Sequence, residues 1–244
     1  MEALGMDYAH AEVVGSHCHA QDQLIYAANG VVRVCSDAGN WVISCGQALW
    51  VPAGVSHEMR MVGDVSVRTL LLSSRVDHCQ VIAVSGLLRE LILAASQMLG
   101  QRDECLGEHV RALIQRELEA AQRINAYVPM PEHARLRAWC EHFLDEPSQE
   151  LTLEQCGVQL SMCARSVARL FQREVGMSYG EWRARARMML SQLRLADGLP
   201  IMSVALEHGY QSASAFAAVF KRIHGYTPSD WQVGLQEAAI PRVH

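Results

Sequence analysis

Three histidines near the start of the chain have a spacing that could hold a metal ion. His17-x-His19 is followed after three residues by Gln23 and after six more by Gly30. Gly46 then precedes Pro52-x-Gly54 by five residues, and His57 comes two residues later. Alternate side chains of a β-strand face one side, so His17 and His19 can both point inward while His57 arrives from a neighbouring strand. Three imidazoles with the oxygen of Gln23 suit a divalent Zn, Ni, Fe or Mn ion. The neutral amide is a weaker ligand than a carboxylate. By the same alternation Cys18 should face the other way, as an inert buried thiol. Trp41, Trp50, Met59 and Met61 are candidates for an apolar effector pocket, although core filling suits them equally. Glu58 is the nearest carboxylate in the motif, and nothing there forms a positioned acid–base pair, so no catalytic residue is expected.

A second chemistry-bearing group is basic. If residues 164–175 form a helix, Val167, Leu170 and Phe171 make its buried stripe and Arg165, Ser166 and Arg169 face outward, with Arg173 further along. The arginine fork binds guanine O6 and N7 together, which makes this a candidate base-reading face. A similar stretch later in the chain offers Ser212 and Ser214 among Ala213, Ala215, Ala217 and Ala218. Such a face touches thymine methyls and phosphates but provides little hydrogen-bonded readout. Lys221 and Arg222 suit phosphate contacts, which give affinity without sequence information. Sequence specificity is therefore expected mainly from the first of the two helices.

These residues need particular elements to position them. From about residue 10 to 75, short apolar runs (Leu24–Tyr26, Val31–Val34, Trp41–Ile43, Leu49–Val51, Val67–Leu72) alternate with Gly, Asn, Asp and Pro, a pattern of short strands closing into a barrel or sandwich. Near Ser85 the period changes. Leu87, Leu88, Leu91, Ile92 and Ala95 share one helical face, and Val110, Leu113, Ile114 and Leu118 another, giving helices near Gly86–Leu99 and Glu108–Asn125 that fit neither module's core. Pro129 and Pro131 mark Ala126–Glu132 as a linker. Thereafter all is short helix. Thr152 caps one that ends near Gln159, with Gln155 completing a capping box. Gly176 stops Ala164–Val175, and a long helix runs from Tyr179 to Leu195. Ile201–Glu207, a turn at Gly209 and Ser212–Arg222 then repeat the plan. Phe171, Phe216, Val219, Phe220 and Trp231 are expected to be core. The predicted fold is α+β with two domains: a β-barrel at 1–84, connector helices at 85–126, a linker at 127–132 and an all-α module at 133–244.

The two helical halves align, Arg165–Gly176 against Ser214–Gly225, each ending in Phe, a basic residue two positions on, and Gly. With Ile201-x-x-Val204-Ala205-x-x-x-Gly209-Tyr210-x-Ser212, Phe220-Lys221-Arg222 and Gly225-Tyr226-Thr227-Pro228, residues 151–231 resemble the AraC/XylS family of bacterial transcription regulators. That resemblance implies a double helix-turn-helix entering two successive major-groove segments of operator DNA. The histidine motifs resemble the cupin jelly-roll barrel, with Gln23 where metal-binding cupins carry Glu and Met61 in place of the usual late Asn. Regulators of this kind pair such a barrel, which senses a small molecule or metal, with the DNA reader. Their connector helices commonly form a homodimer interface, packing on the barrel being the alternative, and an activator also meets RNA polymerase.

Bulk composition is compatible with this reading without proving it. The net charge of −5 is uneven: residues 1–132 hold 9 Arg against 15 acids, whereas residues 133–235 hold 11 basic residues against 10 acids. Phosphate binding needs local rather than global positive charge. The eight cysteines form no Cys-x-x-Cys pair, which suits reduced thiols in the cytoplasm. No apolar run approaches the roughly 20 residues of a membrane span. The competing readings are a cupin-type metalloenzyme with an appended α domain and an architectural DNA binder without a ligand. The first gives the double reader no purpose, and the second does not explain three histidines at ligand spacing.

Overall fold

The computed structural model describes residues 1–73, 76–97, 104–124, 127–147 and 151–239. In chain order the strands β1 (Glu2–Tyr8), β2 (Val13–His17), β3 (Asp22–Ser36), β4 (Gly39–Ser44), β5 (Gln47–Val51), β6 (His57–Leu72) and β7 (Gln80–Ala83) come first. Helices α1 (Gly86–Gln97) and α2 (Glu104–Ala120) follow, then short strands β8 (Arg123–Ile124) and β9 (Tyr127–Pro129). The remainder is α3 (Ala134–Asp145), α4 (Leu153–Leu160), α5 (Ala164–Val175), α6 (Tyr179–Ala196), α7 (Ile201–Glu207), α8 (Ala213–His224) and α9 (Pro228–Ala239). The chain divides into two compact units. The first comprises Met1–Ser36, Val42–Asn125 and Val233–His244, and the second Asp37–Trp41 and Ala126–Gln232.

The first unit is built on an antiparallel sheet in the order β1-β6-β3-β5-β7-β8, with β2 also on β6. Strand β6 is its spine. One edge carries β2 (Val13↔Arg60 to His17↔His57) and then β1 (Tyr8↔Val65 to Glu2↔Leu71), while β3 runs along the other. The runs expected as separate strands at Leu24–Tyr26 and Val31–Val34 are one strand, β3, whose register shifts between Ala27 and Val31. Gly30 makes that bend possible. Its φ is +75°, and a Cβ there would stand 2.7 Å from the Asp64 carbonyl oxygen. Strand β1 was not expected, because it shows little apolar alternation and only Ala3 is buried.

The connector helices belong to this unit's core, so of the two expectations they follow packing on the barrel, and they do not stand outside both modules. Leu88, Leu91, Ile92 and Ala95 of α1 and Ile114 and Leu118 of α2 are buried with Leu24, Tyr26, Ala48, Trp50, Leu70 and Leu72 from one face of the sheet. An antiparallel sheet with two apolar faces needs a cover on each. Leu87 and Leu113, expected on the same stripes, are exposed. The expected helix ends at Leu99 and Asn125 lie outside the described residues.

In the second unit α3–α8 follow the expected plan closely. Thr152 forms the capping box with Gln155, Ser178 forms another with Glu181, and Gly176 and Gly225 end α5 and α8 at positive φ. Trp182, Phe143 and Phe171 are fully buried, with the Trp182 ring in contact with both phenylalanines. Phe216, Phe220 and Trp231 are buried as expected, while Val219 is only half-buried. Residues 127–129, expected as linker, form β9, which pairs with the start of β4 through Gly39↔Pro129, Asn40↔Val128 and Trp41↔Tyr127. Proline breaks helices but is admitted at a strand's edge, so a helix-breaking signal does not separate loop from edge strand. The Pro129 carbonyl also accepts the buried Trp182 indole N–H at 2.7 Å.

Candidate metal centre and nucleic-acid interface

His17 and His57 stand directly opposite each other on β2 and β6, so their side chains share a face of the sheet. Their ring centroids lie 4.4 Å apart, with His19 5.0 Å from His17 and 5.9 Å from His57. One ligand nitrogen from each of the three lies within 4.8 Å of the others. Strand alternation does not place His19, which lies beyond the end of β2. Its backbone carbonyl instead accepts from Gly54 N at 2.8 Å, tying it to the turn that Pro52 opens. Gly54 has φ +77°, a conformation glycine adopts without strain.

The imidazole hydrogen bonds fix which nitrogens are free. His17 Nδ1 is 2.9 Å from the Gly15 carbonyl oxygen, and His57 Nδ1 is 3.1 Å from that of Val55. A carbonyl only accepts, so both Nδ1 atoms donate, and in the neutral ring each Nε2 then carries the lone pair. Nε2 of His57 and of His19 are buried without a hydrogen-bond partner. Burial, reinforced by the neighbouring imidazoles, holds the pKa of His19 and His57 below the usual histidine value; the Val55 carbonyl offsets part of this for His57. Three imidazoles that each bring a ligand nitrogen within 4.8 Å of the others, two of them with an orphaned Nε2, match the donor set of a transition-metal site.

Gln23 is not opposite any histidine. Its partners across the sheet are Val51 and Leu71, and it precedes Leu24, which packs towards α1 and α2, so Gln23 takes the opposite face. Its Oε1 is buried and unpartnered. Cys18 is exposed, a correction to the expected buried thiol, because the segment after His17 has left the sheet. The four residues expected to line one effector pocket are not brought together. Trp50 packs on the α1–α2 side, Met59 and Met61 alternate with His57 on β6, and Trp41 stacks on Tyr127 at 6.3 Å in the second unit. Asp22, which nothing in its sequence context singles out, accepts from Ala53 N at 2.9 Å and Val76 N at 3.1 Å and so braces the Pro52 turn. An aspartate 31 residues before the Ala53 amide it accepts from carries no signal without its partner.

In the second unit Arg165, Arg169 and Arg173 recur at four-residue intervals along one edge of α5, all exposed. Arg165 and Arg169 make no ion pair with the described residues, whereas Arg173 lies 3.1 Å from Glu174. The Ser166 hydroxyl lies 3.3 Å from the thiol of Cys163, the residue at the N-cap. On α8, Ser214, Lys221 and Arg222 are exposed. Ser212 is the N-cap, accepting from Ala215 N at 3.2 Å, so its oxygen is committed to the helix end. Arg194 is engaged as well, with two bonds to Glu207 at 2.9 and 3.1 Å.

Comparison with known proteins agrees with both halves. Residues 6–73 match the profile of the cupin domain, and residues 158–233 match that of a helix-turn-helix domain. Over 217 residues the chain is 28% identical to the HTH-type transcriptional regulator NimR of Escherichia coli, covering 87% of this chain and 80% of that one. The chain is a transcription regulator with an AraC-type helix-turn-helix domain. The regulator is also 26% identical over 148 residues to the arabinose operon regulatory protein of Escherichia coli, covering 60% of this chain and 50% of that one. With RipA of Corynebacterium glutamicum the identity is 30% over 116 residues, 46% of this chain and 35% of the other. These relatives are bacterial and named as regulators, and this regulator is likewise a DNA-binding protein rather than an enzyme. Among the described residues no helix is long and apolar enough to cross a membrane.

Proposed function

We propose that this regulator is metal-responsive, with a divalent Zn, Ni, Fe or Mn ion held by His17, His19 and His57 and assisted by Gln23. The observation that carries this reading is the cluster of three imidazoles whose ligand nitrogens lie within 4.8 Å of one another, with Nε2 of His19 and of His57 buried and unpartnered. A bound ion there supplies a fixed positive charge joining β2 to β6. The residues around it do the positioning: Gly15 and Val55 set the tautomers, and Asp22 and Gly54 hold the Pro52 turn. Any ligand that favours one state of the regulator shifts the population towards it, and operator DNA must then shift ligand affinity by the same factor.

On the DNA side, Arg165 and Arg169 read base edges with Ser166 beside them, and Arg173, Ser214, Lys221 and Arg222 hold phosphates. Ser212 serves α8 as its cap. Homodimerisation on two half-sites, contact with RNA polymerase during activation and action in the cytoplasm complete the proposal. The deciding experiment measures metal content of the purified full chain by mass spectrometry and operator affinity before and after chelation. Bound metal at about one per chain, lost in His57→Ala, together with an operator affinity that changes on chelation, is the expected result. Absence of metal, or affinity indifferent to it, refutes the proposal.

A further inference from the structure

The second unit holds a group of arginines that neither α5 nor the end of α8 accounts for. Arg183 and Arg187 are one turn apart on α6, the helix joining the two helix-turn-helix halves, and both are half-buried. Arg183 leans on the first half. Its guanidinium lies 5.5 Å from the centre of the Tyr179 ring, and its Nη1 donates to the Leu151 carbonyl at 3.5 Å. Arg187 faces the second half. There Arg187, Arg222 of α8 and Arg183 all act on the phenol of Tyr210, in the turn between α7 and α8. Arg187 makes no hydrogen bond or ion pair with the described residues, and its Nε is buried without a partner. Burial, with Arg183 adding to it, holds its pKa below the usual arginine value. The phenols of Tyr179 and Tyr210 oppose this but are uncharged at neutral pH. Glu207, the carboxylate of α7, is already taken by Arg194 at 2.9 and 3.1 Å. A half-buried guanidinium without a counter-charge, beside two more of its kind, is costly until an anion completes it.

We propose that Arg187, with Arg183 and Arg222, forms a phosphate clamp at the junction of the two halves, gripping the DNA backbone between the groove segments that α5 and α8 face. The guanidinium fork suits two oxygens of one phosphate, and partial burial strengthens that contact relative to one made in open water. Arg183 is anchored in the first half and Arg222 in the second, so one phosphate held by both fixes the spacing of the halves on the duplex. The clamp supplies affinity and spacing without reading bases. The inference rests on the reading that α5 and α8 face a single duplex.

The test uses the full chain and a duplex obtained by binding-site selection. Each phosphate between the two contacted groove segments is replaced in turn by an uncharged methylphosphonate. At one position the replacement should weaken binding of the unaltered chain about tenfold. Arg187→Gln, weakened to a similar extent on the unmodified duplex, should be indifferent to that replacement. The same variant should select an unchanged motif while its salt exponent falls by about one. Absence of a sensitive position overturns the clamp, and that scan of the unaltered chain does not depend on any variant folding. A sensitive position that weakens Arg187→Gln equally also overturns it. Saturable binding of inorganic pyrophosphate to the DNA-free chain, lost in Arg187→Gln while the salt exponent stays the same, overturns it in favour of a free anion. Undiminished affinity for a duplex cut down to one groove segment shows instead that the underlying reading, of two helices on one duplex, has failed.

Discussion

Gln23 stands where a carboxylate would make the histidine cluster a stronger metal ligand, so its amide sets a testable ceiling on affinity. Gln23→Glu adds a negative charge beside a dication in a partly desolvated site, and affinity for Zn should rise about tenfold or more. Competition against a chelator of known affinity measures this, and an unchanged constant would place Gln23 outside the ligand set. The DNA face divides at the same scale. Arg169→Ala should cost about 1–3 kcal/mol on the preferred operator and flatten the base preference at one position in a binding-site selection. Lys221→Ala should weaken all sequences alike and reduce the salt dependence of binding by about one counterion. If the two variants give the same selected motif, the assignment of readout to α5 is wrong.

Two glycines show how elements fit together. Gly157 in α4 sits against the turn into α5, where a Cβ would be 2.5 Å from the Met162 carbonyl oxygen. That carbonyl belongs to a backbone segment already held by the Met162 N–H bond to Gly157 O at 2.8 Å, so it cannot retreat freely. Gly157→Ala should therefore destabilise the second unit by about 1–3 kcal/mol despite alanine's better helix propensity. Gly180, in the first turn of α6, has nothing within 4 Å of a built Cβ. Gly180→Ala should be neutral or stabilising by up to about 1 kcal/mol. Thermal melts of the two variants check the contrast, and operator affinity should fall only for Gly157→Ala, because only there does the helix-turn-helix spacing change.

For the molecule as a whole, acid stability is set in part by His208. It is 3% exposed, neither ring nitrogen has a hydrogen-bond partner, and burial pushes its pKa down to about 4, with Arg187 and Arg194 adding to the effect and Glu207 opposing it. The folded chain thus keeps His208 neutral over a range where the unfolded chain protonates it, near pH 6.5 and below. Stability from this group is complete above pH 6.5 and falls as the pH drops towards 4, by about 2 kcal/mol at pH 5. Urea unfolding at pH 7.5 and 5.0 should show this loss, reduced in His208→Leu. An equal pH dependence in the variant would assign the loss to other histidines.

Much of this was legible without coordinates, for definable reasons. Caps, glycine stops and the 3.6-residue stripe are local, so α5 and α7 could be bounded from Ala164, Val175, Ile201 and Glu207 alone, and the His-x-His and Pro-x-Gly-x-x-His spacings exposed the three imidazoles. Pairing across the sheet was not legible. That β1 adds to β6, that residues 127–129 form a strand and that Leu88 and Ile114 face the sheet all depend on partners tens of residues away. Nor could the sequence tell which imidazole nitrogens are free, since Gly15 and Val55 contribute only backbone oxygens. The chemistry of the site was written in residue types. Its geometry, including the Asp22 brace and the separation of Trp50 from Met59, was decided by tertiary packing, because only packing determines which polar atoms are left without a partner.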